Sequence, residues 1–494
     1  MFPLVATLLG LALFGLAEAL FAALDWGRPS RFDDPFVGFS AIHPLFVLDD
    51  SGTRYEVARS RLKWFRPESF AAVKPSNEFR IFCLGGSTVQ GNPWGIETSF
   101  TTWLEISLQA ADPSRRWEVV NCGGISYASY RLVPILEELL AHQPDLFIVC
   151  TGHNEFLEDR TYGHIKRAPA MLWRTQEVAA SLRTYTLLRA GLLGVIGRRD
   201  DRPSQDRSVL GPEVDAWLDY RGGLDAYHRD DEWRQAVIEH YGHNLRRMVA
   251  IARAAGVPLL LVNPVCNLRD SPPFKAQHRD GLGRDELERW EQLWTAAREQ
   301  YSSNLLEAVS LLKRAMAIDD QHAGMHYDLA KCYDSLGNVN DAHRSYIRAK
   351  ELDICPLRIL EPMNQAVLEV ARQSQTPAVD VRQLFERLSP GGIPGNNLLV
   401  DHVHPSIRGH QLIADALADE LVLQGFLQPS ATWQDDRDRK YREQFASLDG
   451  FYFIRGQQHL ESLRQWTRGR LNRVRADQKS SRDHAAVSGS GLGD

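Results

Sequence analysis

Apolar and polar positions divide this chain into short apolar runs separated by longer amphipathic stretches. Phe79-Arg80-Ile81-Phe82-Cys83-Leu84 is one such run, and it ends in Gly85-Gly86-Ser87, the pattern of a buried strand entering a tight turn. Trp117 to Asn121 repeats it and ends in Cys122-Gly123-Gly124, and Asp145 to Cys150 repeats it again and ends in Thr151-Gly152-His153-Asn154. Val257 to Val262 and Ala378 to Val381 supply a fourth and a fifth run. Between them, Arg131 to His142 carries Leu132, Ile135, Leu136 and Leu139 on one helical face, and residues 233–254 predict a second helix. Buried strands alternating with amphipathic helices predict an α/β fold with three α/β/α layers around a mostly parallel five-stranded sheet. Ligands of such sheets gather at the carboxyl ends of the strands. Ser87, the Gly123-Gly124 turn and Asn154 are therefore expected along one edge.

The first 24 residues depart from this pattern. Met1 to Leu24 carries one ionisable side chain, Glu18, and no Lys or Arg. A run this long and apolar predicts a transmembrane anchor, since about 20 apolar residues span a bilayer core. A cleaved signal peptide, with Ala17-Glu18-Ala19 as its cleavage site, is the alternative, and a buried core helix is the third reading. Arg28 and Arg31 follow the run, but a large domain lies beyond them, where the charge rule is weak. The expectation is a single-pass anchor holding an extracytoplasmic, periplasmic domain. Residues 25–75 read as a collar onto the main domain.

Two more segments interrupt the alternation. Residues 160–230 are Arg-rich and irregular, an insertion or lid. In residues 284–356, Ala308, Leu312, Ala315, Ile318 and Asp319 recur 34 positions later as Ala342, Tyr346, Ala349, Leu352 and Asp353. That period and its small residues resemble a tetratricopeptide repeat, against the plainer reading of a helical hairpin. A solenoid stands alone only with three or more repeats, so this segment is expected to lean on the core and to offer a surface for a protein partner. The core thus reads as 76–283 and 357–430, followed by a helical extension over 431–479 and a disordered tail over 480–494. The extension is rich in Arg, with Leu460, Leu463, Leu471 and Val474 loosely on one face. It reads as a solvated helix or a membrane-surface helix.

Composition narrows the function classes. Lys plus Arg is 57 and Asp plus Glu is 63, a net charge of −6, which gives no basic field for nucleic acid. Six cysteines in 494 residues are too sparse for a disulfide scaffold and form no CxxC pair for zinc. Cys83 and Cys150 lie in apolar strands and read as small core residues.

The chemistry lies in the turns. Ser87 follows the first strand, and Asp401-His402-Val403-His404-Pro405 stands near the end of the core. A serine nucleophile needs a base in hydrogen-bond reach, a carboxylate to orient that base, and donors for the developing oxyanion. Ser87 as a mere helix cap, and a metal site from Asp401, His402 and His404, are the competing readings. His153 and Glu155, beside Asn154, read as substrate contacts or as structural groups.

In order, Gly85-Gly86-Ser87-Thr88-Val89, Asn121-Cys122-Gly123-Gly124, Gly152-His153-Asn154-Glu155 and Asp401-His402-Val403-His404 resemble the four signature blocks of the SGNH (GDSL-like) hydrolases. The resemblance covers the core strands and not the insertions. It implies a flavodoxin-like sheet with Ser87 as nucleophile, His404 as general base and Asp401 orienting it. It also implies an oxyanion hole from Ser87, Gly124 and Asn154, and no cofactor or metal. Two departures stand out: the family's Asp before the serine is Gly86 here, and its second-block glycine falls near Ser126, whereas this chain has glycines at 123 and 124. The implied activity is hydrolysis of an O-acyl ester, O-acetyl among them, on a carbohydrate or lipid. Acyl transfer by the same site is one alternative, and a scaffold with an incidental hydrolase core is the other.

Overall fold

A computed structural model describes residues 2–24, 26, 34, 36–160, 162, 182–184, 187–188, 208–219 and 223–467. The chain forms two compact units, one of residues 1–43, 160–213 and 231–236, the other of residues 44–159, 214–230 and 237–494.

In the first unit, α1 (Phe2–Ala23) carries the N-terminal apolar run, and β1 (Val37–Phe39) pairs in parallel with β8 (Ser208–Leu210). No helix among the described residues is long and apolar enough to cross a membrane, so the expected single-pass span finds no support there. The one ionisable side chain of α1, Glu18, has partners far away in the chain. Its carboxylate accepts hydrogen bonds from the backbone N–H of Arg183 and Thr184, and the Arg183 guanidinium donates to the carbonyls of Phe21 and Trp26. Most of the expected 160–230 insertion, and the 480–494 tail, lie outside the described residues.

In the second unit the collar is more ordered than its sequence suggests. β2 (Phe46–Leu48), β3 (Arg54–Val57) and β4 (Ser69–Ala71) form an antiparallel sheet. Its Phe70 ring stands 5.4 Å from that of Phe82 in the main sheet, and the Glu138 carboxylate accepts from Leu45 and Phe46 N–H.

The main sheet holds β5 (Glu78–Gly85), β6 (Arg116–Gly123), β7 (Leu146–Cys150), β9 (Leu259–Asn263) and β10 (Ala378–Asp380) in the order β10-β9-β7-β5-β6, all parallel. Taken in chain order these are strands 2-1-3-4-5, the flavodoxin-like arrangement. Successive strand residues face opposite ways. Ile81, Cys83, Ile148, Leu260 and Val262 accordingly join a core with α3 (Phe100–Ala111) and the late helix Ile407–Leu423, while Phe82, Leu84 and Phe147 are buried on the other face, where α4 (Ser129–Leu139) packs against β5. Burial on both faces explains the near-continuous apolar runs. The chain direction reverses between β5 and β7, and this is the crevice where such sheets bind ligands.

Between β9 and β10 the chain leaves the sheet. After α5 (Asp231–Ala254), four helices follow β9: α6 (Arg284–Glu299), α7 (Leu305–Met316), α8 (Ala323–Ser335) and α9 (Val339–Glu351). Ala308, Ala315, Ala342 and Ala349 are buried at the helix crossings, where small residues permit close approach. The repeat's core also takes in Cys266, Leu268, Ile393 and Val403 from the α/β unit, so the four helices share one core with the loop that carries Asp401 and His404. α10 (Glu361–Ser374) precedes β10, and α11 (Val381–Leu388), α12 (Ile407–Leu423), α13 (Trp433–Ser447) and α14 (Gly450–Thr467) follow it.

Candidate active site

Ser87 opens α2 (Ser87–Gln90), directly beyond β5. Its backbone N–H is the first of the helix and has no intrahelical acceptor. Close packing demands the glycines before it. A Cβ on Gly85 would lie 2.1 Å from the Cys150 carbonyl oxygen, and one on Gly86 would lie 2.5 Å from Asn154 Nδ2. The Asn154 amide thus covers the face of Gly86 where a side chain would stand.

Asp401 and His404 lie in a tight loop before α12. Val400 N–H donates to the His404 carbonyl at 2.9 Å. Asp401 Oδ1 accepts the N–H groups of Val403 and His404 at 2.9 and 2.8 Å, while Oδ2 lies 2.7 Å from His404 Nδ1. His404 Nε2 in turn lies 2.8 Å from Ser87 Oγ. A carboxylate accepts only, so Nδ1 carries the proton and Nε2 presents its lone pair to the serine hydroxyl. Burial would raise the Asp401 pKa, but the neighbouring imidazoles of His404 and His402 and the hydrogen bonds from His404 more than offset it and hold the carboxyl well below the ordinary range. Asp401 thus stays ionised where it stabilises an imidazolium on His404.

Asn267, which the sequence reading passed over, clamps this loop from the end of β9. Its N–H donates to the His402 carbonyl at 2.9 Å, and its Nδ2 donates to the Asp401 carbonyl at 3.0 Å. A lone Asn after a strand carries no signal of that role in sequence.

The oxyanion side needs a correction. Gly124 N–H donates to the Gly85 carbonyl at 3.0 Å, Gly123 N–H to Asn121 Oδ1 at 3.0 Å, and Ile125 N–H to the Trp64 carbonyl at 2.8 Å. Gly124 therefore has no N–H left for an oxyanion. The two glycines serve packing: a Cβ at Gly123 would meet the backbone of Gln90 at 2.3 Å, and one at Gly124 the Phe65 ring at 2.7 Å. Ser126 is the residue of this turn with a left-handed backbone, φ 62°, a conformation that favours glycine, at the position where the family pattern has its glycine. Asn154 Nδ2 donates one hydrogen to the Tyr127 carbonyl at 3.0 Å, and an amide has a second to give.

The flanking groups make contacts within the protein. Glu155 accepts from Ser129 N–H and Oγ at 2.7 and 2.9 Å. His153 Nδ1 accepts the Ile359 N–H at 3.2 Å, and burial lowers its pKa to about 3. His402 turns its ring edge-on to Phe274, centroids 5.1 Å apart, and burial lowers its pKa to about 4. His410 Nδ1 accepts the Phe100 N–H at 3.2 Å. Among the described residues no group of three or more His, Cys, Asp or Glu side chains is placed to hold a metal.

A tetratricopeptide repeat family model matches residues 302–352. No curated protein matches the chain in sequence. Solved structures similar to it include a lipase/acylhydrolase from Enterococcus faecalis, at 12% identity and TM-score 0.32, over 71% of this chain and 98% of that one. An acetylxylan esterase from Geobacillus stearothermophilus, solved as a catalytic mutant, matches at 15% identity and TM-score 0.31, over 71% of this chain and 96% of that one. A lipolytic protein of the G-D-S-L family from Desulfitobacterium hafniense matches at 12% identity and TM-score 0.29, over 69% of this chain and 99% of that one.

Proposed function

From a chain that resembles the SGNH hydrolases and carries a tetratricopeptide repeat, we infer a serine esterase that cleaves an O-acyl ester through an acyl-serine intermediate. The observation that carries this reading is the continuous contact from Asp401 through His404 to Ser87, 2.7 Å and then 2.8 Å. His404 Nε2 takes the proton as Ser87 Oγ bonds to the ester carbonyl carbon, and the carbonyl oxygen becomes an anion. Ser87 N–H, the free Asn154 amide hydrogen and Ser126 N–H are the donors for that anion. Collapse of the intermediate breaks the bond to the alcohol, which leaves with the proton from His404. Water, deprotonated by the same imidazole, then releases the acid and restores Ser87. The substrate is an O-acyl ester, O-acetyl among them, on a carbohydrate or lipid alcohol. The repeat helices serve as the contact surface for a protein partner.

A fluorophosphonate probe applied to wild type and Ser87→Ala tests the nucleophile. Labelling of the wild type alone is expected, and equal labelling of both proteins refutes Ser87. Esters of increasing acyl length then define the acyl pocket. Acyl groups appearing on an added glycan would convert the reading to acyl transfer.

A further inference from the structure

The repeat ends beside the candidate site, and the chain that leaves it touches both sides of that site. Residues 352–360 connect α9 to α10, and Asp353, Arg358 and Ile359 within this connector are buried. Arg358 Nη1 donates to the carbonyls of Asn267 at 3.0 Å and Ser271 at 2.7 Å. Asn267 is the residue that clamps the base loop through the carbonyls of Asp401 and His402. A second route runs through a ring. The Arg358 guanidinium lies 5.8 Å from the centroid of Phe274, whose ring meets that of His402 edge-on. One residue later, Ile359 N–H donates to His153 Nδ1 at 3.2 Å, and a Cβ at Gly152 would lie 2.6 Å from Ile359 Cδ1. Gly152 and His153 lead directly into Asn154, whose amide faces the oxyanion in the reading above.

The connector is itself gripped by the repeat. Asp353 accepts the N–H groups of Phe274, Lys275 and Cys355 at 2.8, 3.0 and 3.1 Å, and its Oδ2 stands 3.5 Å from Arg358 Nη2. Lys350, buried on α9, donates to the Ile359 carbonyl at 2.9 Å and to Glu361 at 2.7 Å. Asp353 has a counterpart 34 positions earlier in Asp319. Asp319 grips the same segment a little further along, at His278 Nδ1 (2.6 Å) and Arg279 N–H (3.4 Å). The two aspartates fasten the repeat alike, but Asp353 also pairs with a guanidinium that reaches Asn267. A buried charge is costly unless it is paired and hydrogen-bonded. The planar guanidinium meets that condition in one rigid arrangement, which a flexible ammonium does not reproduce.

We propose that Arg358 is a positioning residue of the site: it sets the base loop through Asn267, against the strand end that Ile359 holds, so that the end of the repeat governs the contact of Ser87 with His404. This rests on the esterase reading above. The test measures kcat and KM for a small acetate ester, and the rate at which Ser87 takes a fluorophosphonate, in wild type, Arg358→Lys and Asp319→Asn, with urea midpoints alongside. Arg358→Lys keeps a cation opposite Asp353 and loses the planar fork. Its kcat and labelling rate are expected to fall together by roughly tenfold to a hundredfold, the scale of a small misplacement arising away from the chemistry. KM should not change, because Arg358 does not hold substrate. Asp319→Asn, at the matching place in the repeat, should lower the urea midpoint and leave kcat and the labelling rate at the wild-type level. If the lysine variant does not fold, Arg358→Met combined with Asp353→Asn removes both charges, so that neither is buried alone, and the same loss is expected. A folded variant with wild-type kcat and labelling rate overturns the proposal and leaves the esterase standing. A loss confined to KM, or an equal loss of kcat in Asp319→Asn, overturns it as well. Failure of wild type to cleave the ester or to take the label overturns the esterase reading and this inference together.

Discussion

Ser87 Oγ and His404 Nε2 lie 2.8 Å apart although 317 positions separate them in the chain. The first comes from the turn after β5 and the second from the loop before α12, so only the assembled fold brings them together. That contact depends on the imidazole tautomer, which Asp401 sets through Nδ1.

Asp401→Asn should therefore leave the fold intact and lower kcat by about 10⁴, because an amide can hold His404 in the wrong tautomer. Steady-state hydrolysis of a small acetate ester measures the loss. A decrease of less than tenfold would remove Asp401 from the orienting role.

Asn154→Ala should lower kcat by about 10²–10³, the worth of one oxyanion donor. Gly86→Ala should reproduce much of that loss without touching a donor, because its new Cβ would press on Asn154 Nδ2 at 2.5 Å. Full activity in Gly86→Ala would show that the amide's position is not what matters.

Ser126→Gly should stabilise the protein by about 1 kcal/mol. A side chain in the left-handed region costs roughly 1–2 kcal/mol, part of which glycine returns through its freer unfolded chain. Urea unfolding reads the difference, and activity should persist because the backbone N–H remains.

Glu68 and Glu105 predict a pH dependence of stability. Burial raises both carboxyls to about 7, while each accepts a backbone N–H of the edge strand β6, Asn121 and Val119 respectively. A carboxyl whose folded pKa exceeds its unfolded value favours the folded state when protonated. Its stabilising contribution is complete below the unfolded pKa of about 4.5 and is lost as pH rises through about 7. Glu68→Gln with Glu105→Gln keeps the acceptors and removes the titration. Denaturant midpoints between pH 4.5 and 7.5 should fall in wild type and stay flatter in the double variant.

The sheet was legible because its first three strands are apolar runs that end in glycine turns, so Phe79–Leu84 and Asp145–Cys150 carry their boundaries in their own composition. Asp401 and His404 were legible because an orienting carboxylate and its imidazole sit three positions apart. The second oxyanion donor was not. Glycine at 123 and 124 meets a packing need, and Ser126 takes the left-handed turn without a glycine to mark it. The collar's strands are three or four residues long, too short for a period to show. In the docking of α14, the close approach of Gly456 to Trp94 and the hydrogen bond between Tyr452 and Thr98 leave no trace in hydrophobic spacing. The apolar run of α1 was legible as a helix, but the partners of Glu18 come from positions 183 and 184, far away in the chain.

Val403, between the two histidines of the base loop, is buried in the same apolar cluster as Trp290, Leu312 and Tyr346. Trimming the chain to a minimal catalyst by excising the repeat would strip the floor from under the imidazole. The repeat is part of the candidate site's chassis, and its removal should be felt first at His404.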